Sequence, residues 1–455
     1  MEIDFEKIGK YSKSGPRYTS YPTAIEFKEN EKVKTVYLKE LEENSGELSL
    51  YFHLPFCRSA CYFCGCNVVY TSRPEKRTRY IDYLKIEMGL LSKHLKKNRE
   101  VVQIHFGGGT PTFFSAIELE EIILEIKKYF TNISKNAEIS CEIDPRYLDE
   151  DQMIVLTKHG FNRVSFGVQD FDHKVQEAVH RIQSFETVET SVNLARKYGI
   201  TSINIDLIYG LPHQTAETFQ KTVELSLKLN PDRFAVFNYA HVPWLMKTMR
   251  KIDEGTLPKP SEKATILKRT IDLITDNGYK MIGMDHFAKE SDELFLAIDK
   301  GELHRNFQGY TTKGGTQLLG IGLTSIGNGK SYYIQNYKDM ENYEKSLEKG
   351  ELPIFRGVAL SIDDQMRRDI IMELMSNFKF DILRFNNRYC VDFHKLFQFE
   401  LDNLRPFEID ELLTISYSKI EINFTGSLII RNIAMVFDSY MHNHIDSNKV
   451  FSKTV

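Results

Sequence analysis

Residues 48–66 read LSLYFHLPFCRSACYFCGC, an apolar run that gives way to three cysteines, Cys57, Cys61 and Cys64, in C-x3-C-x2-C spacing, with Cys66 two residues further on. A short run rich in Leu, Tyr and Phe and closed by proline reads as a strand, which puts the cysteines in the loop the strand feeds. Residues 101–112, VVQIHFGGGTPT, repeat the order with glycines in place of cysteines. Four further strand candidates, 137–143, 161–168, 201–208 and 233–239, run into EIDPR, GVQDF, DLIYGLP and NYAHVP. With 48–53 and 101–106 they make six strands, each followed by a polar or glycine-rich loop.

Between the strands lie 75–96, 116–130, 149–158, 185–197 and 215–229, where apolar residues recur at three- and four-residue spacing, as on one face of a helix. Alternating strands and helices joined by right-handed crossovers give a parallel sheet in an α/β fold. The sheet is either open and doubly wound or a partly or fully closed barrel. In both, catalytic groups collect beyond the C-terminal ends of the strands, which is where the unusual motifs fall. A helical stretch at 260–278 and a strand-like 279–284 extend this core. From about 355 the texture changes to helices and short strands, so residues 351–455 are expected to form a small C-terminal domain after the barrel and its extension at 47–350. Residues 1–46 include the turn-rich YSKSGPRYTSYPTA and read as an arm laid over the core.

The chain of 455 residues is 42% hydrophobic and 27% charged, the balance of a globular protein, and its formal charge of −4 gives no global attraction to nucleic acid. No apolar run approaches the roughly 18 residues needed to cross a bilayer. The first residues, MEIDFEKIGKYSKSG, lack the basic and then apolar pattern of a secretion signal, so the expected location is the cytoplasm.

Four of the six cysteines crowd into 57–66, which is unlike a disulfide framework and reads as a ligand set. Three thiolates at this spacing fold around one cubane and leave one iron without a protein ligand. Zinc also accepts thiolates, but a closed tetrahedral site wants four ligands, and Cys66 is separated from Cys64 by Gly65 alone. A zinc-stabilised interaction protein is therefore the non-enzyme alternative. The glycines of GGGTPT admit close backbone approach to a ligand, or simply make a tight turn. Glu142 and Asp206 end strands, where an acid can face a cation or accept a hydroxyl, or cap the next helix. Arg181 carries a fork suited to a carboxylate, and His53 is a candidate proton donor or hydrogen-bond partner. Cys141 and Cys390 read as ordinary buried thiols.

C-x3-C-x2-C after the first strand together with Gly107-Gly108-Gly109-Thr110-Pro111 after the second resembles the radical S-adenosylmethionine (SAM) superfamily. The motifs GPRYTSYPTA, FGGGTPT, EIDPR, FNRVSFGVQDF, INIDLIYGLPHQT, DRFAVFNYAH, IGMDHFA, LHRNFQGYTT, LLGIG and LIIRNIAMVFD extend the resemblance over nearly the whole chain, to the oxygen-independent coproporphyrinogen III oxidase family. This resemblance implies an incomplete (β/α)6 TIM-like barrel with an N-terminal arm and a mainly helical C-terminal domain. It implies a [4Fe–4S] cluster on Cys57, Cys61 and Cys64, with Cys66 a fourth, non-ligating cysteine of the site. A first SAM would contact Tyr51, Gly108, Glu142, Ala240 and Ile326, and a second Phe63, Gly109, Thr110, Gln169, Arg181 and Asp206. The implied reaction converts two propionates of coproporphyrinogen III to vinyl groups through a SAM-derived 5′-deoxyadenosyl radical, giving protoporphyrinogen IX in haem biosynthesis. Flavodoxin or ferredoxin would supply the electron to a monomeric enzyme. Arg17, Tyr18, His304, Arg305 and Tyr310 are candidate substrate contacts. The rival readings are a haem chaperone of the same superfamily, which resembles C-x3-C-x-Y-C-x-F and lacks the arm, and a haem methyltransferase or ring-opening enzyme.

Overall fold

The computed structural model describes residues 5–11 and 13–441. Its six expected strands are β1 (Leu48–Leu54), β2 (Val101–Gly108), β3 (Ile133–Ile143), β4 (Arg163–Gln169), β5 (Ser202–Tyr209) and β6 (Arg233–Asn238), parallel and adjacent in that order. Apart from Pro74–Ser92, whose N-cap Arg73 makes no capping bond, the helices between them begin where the sequence supplies caps. Ser115 with Glu118, Asp149 with Gln152 and Thr215 with Thr218 form reciprocal capping boxes, each satisfying N–H groups that a helix start leaves open. Two of them end on glycines with left-handed backbone, Gly160 at φ 93° and Gly199 at φ 90°, which turn the chain into the next strand.

Alternation along β4 and β5 decides what each face carries. Val164, Phe166, Val168, Ile203, Ile205 and Leu207 are buried in the main hydrophobic core, while Ser165, Gly167, Gln169, Asn204 and Asp206 occupy the other, less buried face. Ser165, Asn204 and Asp206 of that face line a cavity that the hairpin His304–Asn306 and Gly309–Thr311 also borders with Asn306, Gln308 and Tyr310. The sheet stays open: one edge is Tyr279–Ile282, joined to β6 through the antiparallel His286–Lys289, and the other is Ile354–Ala359.

Two features go beyond the sequence reading. A seventh parallel strand, Gln317–Ile321, pairs with the outer side of β1, so the strand leading to the cysteines is central rather than marginal. The sheet also runs past position 350, since Ile354–Ala359 is its last strand. The arm contains a helix, Glu31–Glu43, that buries Val33, Tyr37 and Leu41; Tyr37 meets Tyr332 edge-on at 5.0 Å. Tyr18 and Tyr21 are buried as well, and each such side chain contributes about 1.5–3 kcal/mol, so the arm is part of the core it covers. The C-terminal region holds helices from Ile362–Asn377 onward, a three-stranded antiparallel sheet and a cluster of Phe380, Phe385, Phe393, Phe397 and Phe437. Among the described residues no helix is long and apolar enough to cross a membrane.

Candidate active site

Beyond the C-terminal ends of β1 to β5 the loops enclose a hollow of about 240 Å³, lined by Cys57, Cys61, Cys64 and Cys66 on one side and by Glu142, Gln169 and Asp206 on the other. Phe63, Gly108, Gly109, Thr110 and Arg181 complete much of the wall. Loops far apart in sequence therefore meet in one place. The glycine run is required by contact as well as conformation. Gly108 has φ 108°, and a Cβ there would lie 2.5 Å from the His53 ring; one at Gly109 would lie 2.6 Å from the Pro55 carbonyl carbon. At Gly167 the room a side chain would take is filled by the Gln169 amide and the Arg181 guanidinium.

Charge is arranged around the cysteine loop. Asp144, buried, accepts from Arg146 Nη2 at 2.7 Å and Arg181 Nη1 at 2.8 Å. Burial alone would push its carboxyl up, but the two guanidiniums outweigh that and hold it below the usual aspartate range. The same guanidiniums reach Cys61 Sγ, Arg181 Nη1 at 3.6 Å and Arg146 Nη2 at 3.8 Å. Cys57 Sγ lies 3.3 Å from Thr110 Oγ1, and the Cys66 N–H donates to Cys64 Sγ at 3.4 Å.

Glu142 accepts from the Gly108 N–H at 3.1 Å and stands 3.4 Å from His105 Nε2; burial opposes its ionisation, and these two contacts overcome it, lowering its pKa. Asp206 accepts from Ser165 Oγ at 2.8 Å and Asn204 Nδ2 at 2.7 Å, yet burial, with Glu142 nearby, pushes its carboxyl up to about 6.

The remaining expected residues fall outside this wall. Tyr51 donates to or accepts from His53 Nδ1 at 3.0 Å and stacks on His105, so it backs the Glu142 side. His53 is enclosed between Tyr51, Gly108 and the Asn67 carbonyl, and burial lowers its pKa to about 4, which keeps it neutral at pH 7. Ala240 follows β6, and Ile326 lies against Gly320, the residue paired with Tyr51. Of the candidate substrate contacts, Arg17, Arg305 and Tyr310 gather near Asp285, whereas His304 lines a groove with Asn44 and Gln317, at the N-terminal end of the strands, which Arg305 also borders. Tyr18 is turned to the C-terminal domain, its hydroxyl on Asp438 at 2.8 Å. Cys141 is buried as expected; Cys390 is exposed, because it stands at the left-handed C-cap of Ile382–Tyr389, where the chain leaves the domain surface.

These residues fit an iron–sulfur cluster. The thiols of Cys57, Cys61 and Cys64 share one hollow, each on a different part of its wall. A cubane takes one thiolate per iron, so its ligands stand apart. Arg181 Nε is buried without a hydrogen-bond partner, an unused donor in the hollow's wall. The sequence reading missed His105, Asp144 and Arg146 as parts of the site. EIDPR held the signal for two of them, an acid and an arginine directly after a strand, but their shared partner Arg181 is distant in sequence.

A sequence profile of the radical SAM superfamily matches residues 51–226. A curated oxygen-independent coproporphyrinogen III oxidase from Helicobacter pylori is 57% identical over 100% of this chain and 99% of its own length. That of Escherichia coli is 43% identical over 97% of this chain and 96% of its own. The solved structure of coproporphyrinogen III oxidase (HemN) from Escherichia coli, described as a radical SAM enzyme, superposes with a TM-score of 0.92 at 42% identity, covering 97% of this chain and 99% of that one. Asp206, expected to end its strand, lies within β5, three residues before Tyr209. With identity of this level across the full length, and with the cysteine loop, the glycine cradle and the acids of β3 and β5 in one hollow, the chain belongs to the oxygen-independent coproporphyrinogen III oxidase family of radical SAM enzymes.

Proposed function

We propose that this protein is an oxidoreductase that carries out the anaerobic oxidative decarboxylation of two propionates of coproporphyrinogen III, giving protoporphyrinogen IX in haem biosynthesis. The observation that carries the reading is the hollow that brings three thiols, a glycine cradle and the acids Glu142 and Asp206 together, in a chain related over its full length to oxidases of that name. The enzyme uses one [4Fe–4S] cluster and two molecules of SAM. Bound together, they supply one-electron reduction and hydrogen-atom abstraction.

For each propionate a C–H bond and the bond to the carboxyl carbon break and a C=C bond forms; SAM would take up the hydrogen atom, carbon dioxide leaves, and one electron passes to an external one-electron acceptor. Cys57, Cys61 and Cys64 would hold the cluster, and the guanidiniums of Arg146 and Arg181 would stabilise its negative charge at Cys61. Glu142, kept ionised, offers a counter-charge to a sulfonium; Tyr51, Gly108, Ala240 and Ile326 are its companions in the first SAM position. Phe63, Gly109, Thr110, Gln169, Arg181 and Asp206 suit the second. Their common membership of the hollow supports that assignment. The two acids keep separate tasks, because Glu142 ionises easily and Asp206 does not. An outside carrier, flavodoxin or ferredoxin, delivers the electron. The enzyme would act as a monomer in the cytoplasm.

The test is anaerobic turnover of coproporphyrinogen III labelled at its propionate carboxyls. Two labelled carbon dioxide molecules are expected per protoporphyrinogen IX, dependent on SAM and reductant. SAM consumption without label release would move the protein to a haem-handling activity of the same superfamily.

Asp206 gives a pH signature. Its folded-state pKa of about 6 lies above the ordinary value of ~3.9, so keeping it ionised costs stability above about pH 6. That cost disappears as pH falls through 6 towards 4. Asp206→Asn is expected to flatten this part of the stability profile and to weaken SAM binding. An unchanged profile in thermal unfolding between about pH 4 and 7 would remove Asp206 as a strained acid.

A further inference from the structure

Three arginines from three separate parts of the chain meet over the ends of β5 and β6. Arg17, in the arm, donates from Nη2 to the Asn238 carbonyl at 2.9 Å. Arg305, on the hairpin, donates from Nη1 to Tyr310 Oη at 2.9 Å, and its side chain is 6% exposed. Arg431, in the C-terminal domain and 5% exposed, donates to the carbonyls of Gly15 and Pro16, immediately before Arg17. The acid that faces all three is Asp285, 4.0 Å from Arg305 and bonded to His286 Nδ1 at 2.7 Å.

Like charges brought together out of water are costly unless matched by opposite charge. Asp285 is shared, since it also holds His286. Burial, with repulsion from Arg17 and Arg305, lowers Arg431 to about 9, and burial likewise lowers Arg17, whereas Tyr310 and Asp285 hold Arg305 up as a cation despite its burial. Arg305 Nε is buried with no hydrogen-bond partner, so a charged donor is left unused. Packing alone does not explain this, since apolar residues would join arm, hairpin and C-terminal domain without repulsion. A carboxylate entering from outside would meet that donor, and an arginine fork is shaped to take one.

We propose that Arg17, Arg305 and Arg431 form a carboxylate clamp that holds a propionate of the tetrapyrrole substrate over β5 and β6. The identity of the carboxylate rests on the function proposed above; the clamp itself rests on the three guanidiniums. Because two of its three arms come from the N-terminal arm and the C-terminal domain, both segments take part in substrate binding.

The test uses the full-length, cluster-loaded protein and a fluorescence titration with coproporphyrin III, the stable oxidised tetra-acid, beside its tetramethyl ester. The parent should bind the tetra-acid at least roughly tenfold more tightly than the ester. Arg17→Gln and Arg305→Gln should each weaken the tetra-acid roughly ten- to a hundredfold and leave the ester unchanged. Arg431→Gln also frees Gly15 and Pro16, so Arg431→Lys accompanies it; the lysine should recover most of the lost tetra-acid binding through charge. Equal binding of acid and ester by the parent, or parallel loss of both ligands in the variants, would overturn the clamp. Arginine-dependent binding without carbon dioxide release would sink the proposed reaction and leave the clamp standing. Normal turnover with arginine-independent binding would do the reverse.

Discussion

Cys57→Ala, Cys61→Ala and Cys64→Ala proteins are each expected to come through anaerobic reconstitution without a cluster and with activity at background, while Cys66→Ala keeps a [4Fe–4S] absorption spectrum. The three thiols share the hollow, and removing any one leaves an iron exposed to solvent and exchange. Cys66 lines the same hollow and meets Cys64 through its thiol as well as its N–H, which donates to Cys64 Sγ at 3.4 Å; alanine keeps that N–H. Iron analysis and absorption spectra decide the matter. A Cys66→Ala protein without iron would make the fourth cysteine a ligand; a Cys57→Ala protein with a full cluster would displace the assignment of the loop.

The second large effect concerns Asp144, which is 7% exposed and sits between Arg146 and Arg181, themselves 15% and 8% exposed. Asn at this position keeps the shape and removes the charge, leaving two guanidiniums facing each other in a poorly hydrated site. Breaking a buried pair from one side costs about 3–5 kcal/mol, and the cluster-free Asp144→Asn protein should lose stability on that scale in chemical unfolding. The cluster-loaded protein should lose less, because thiolate charge at Cys61, within reach of both arginines, replaces part of what is missing. Adding Arg146→Gln should restore part of the loss. A change under about 1 kcal/mol would mean that water screens the pair as it does at a surface.

The fold was legible where a pattern repeats. β4 and β5 alternate residue by residue, and the helices between strands open with Ser, Asp or Thr three residues before a partner that completes the cap. Gln317–Ile321 was not legible, because all five residues are buried and a strand covered on both faces shows no alternation. The Glu31–Glu43 helix was hidden for another reason: its three buried residues form a narrow stripe among ten half-exposed or exposed ones. At the site, Cys57, Cys61, Cys64, Glu142 and Asp206 announce themselves by position, each in or before a loop after a strand. Arg181 reads from the sequence as a fork open to a carboxylate, but the structure gives its Nη1 to Asp144 and its Nη2 to the Gly167 carbonyl. Such pairings depend on which loops become neighbours, and no local spacing encodes them. Arg431 stands in LIIRNIAMVFD as one cation in an apolar run, and its role follows only once Gly15 and Pro16 lie beside it.

The strand Gln317–Ile321 also sets a schedule. Leu48 faces Gln317 and Phe52 faces Ile321, so the strand that presents the cysteine loop has one bare edge until most of the chain has been made. The Leu323 N–H, just beyond that late strand, donates to Tyr80 Oη, whose own hydroxyl donates to the His53 carbonyl near the start of the loop. At about 5–20 residues per second, a ribosome needs on the order of tens of seconds to travel from one strand to its partner. Throughout that interval the thiols exist as nascent polypeptide without a finished seat. A messenger cut short before position 317 yields a product that carries every residue lining the hollow, on a first strand still bare along one edge.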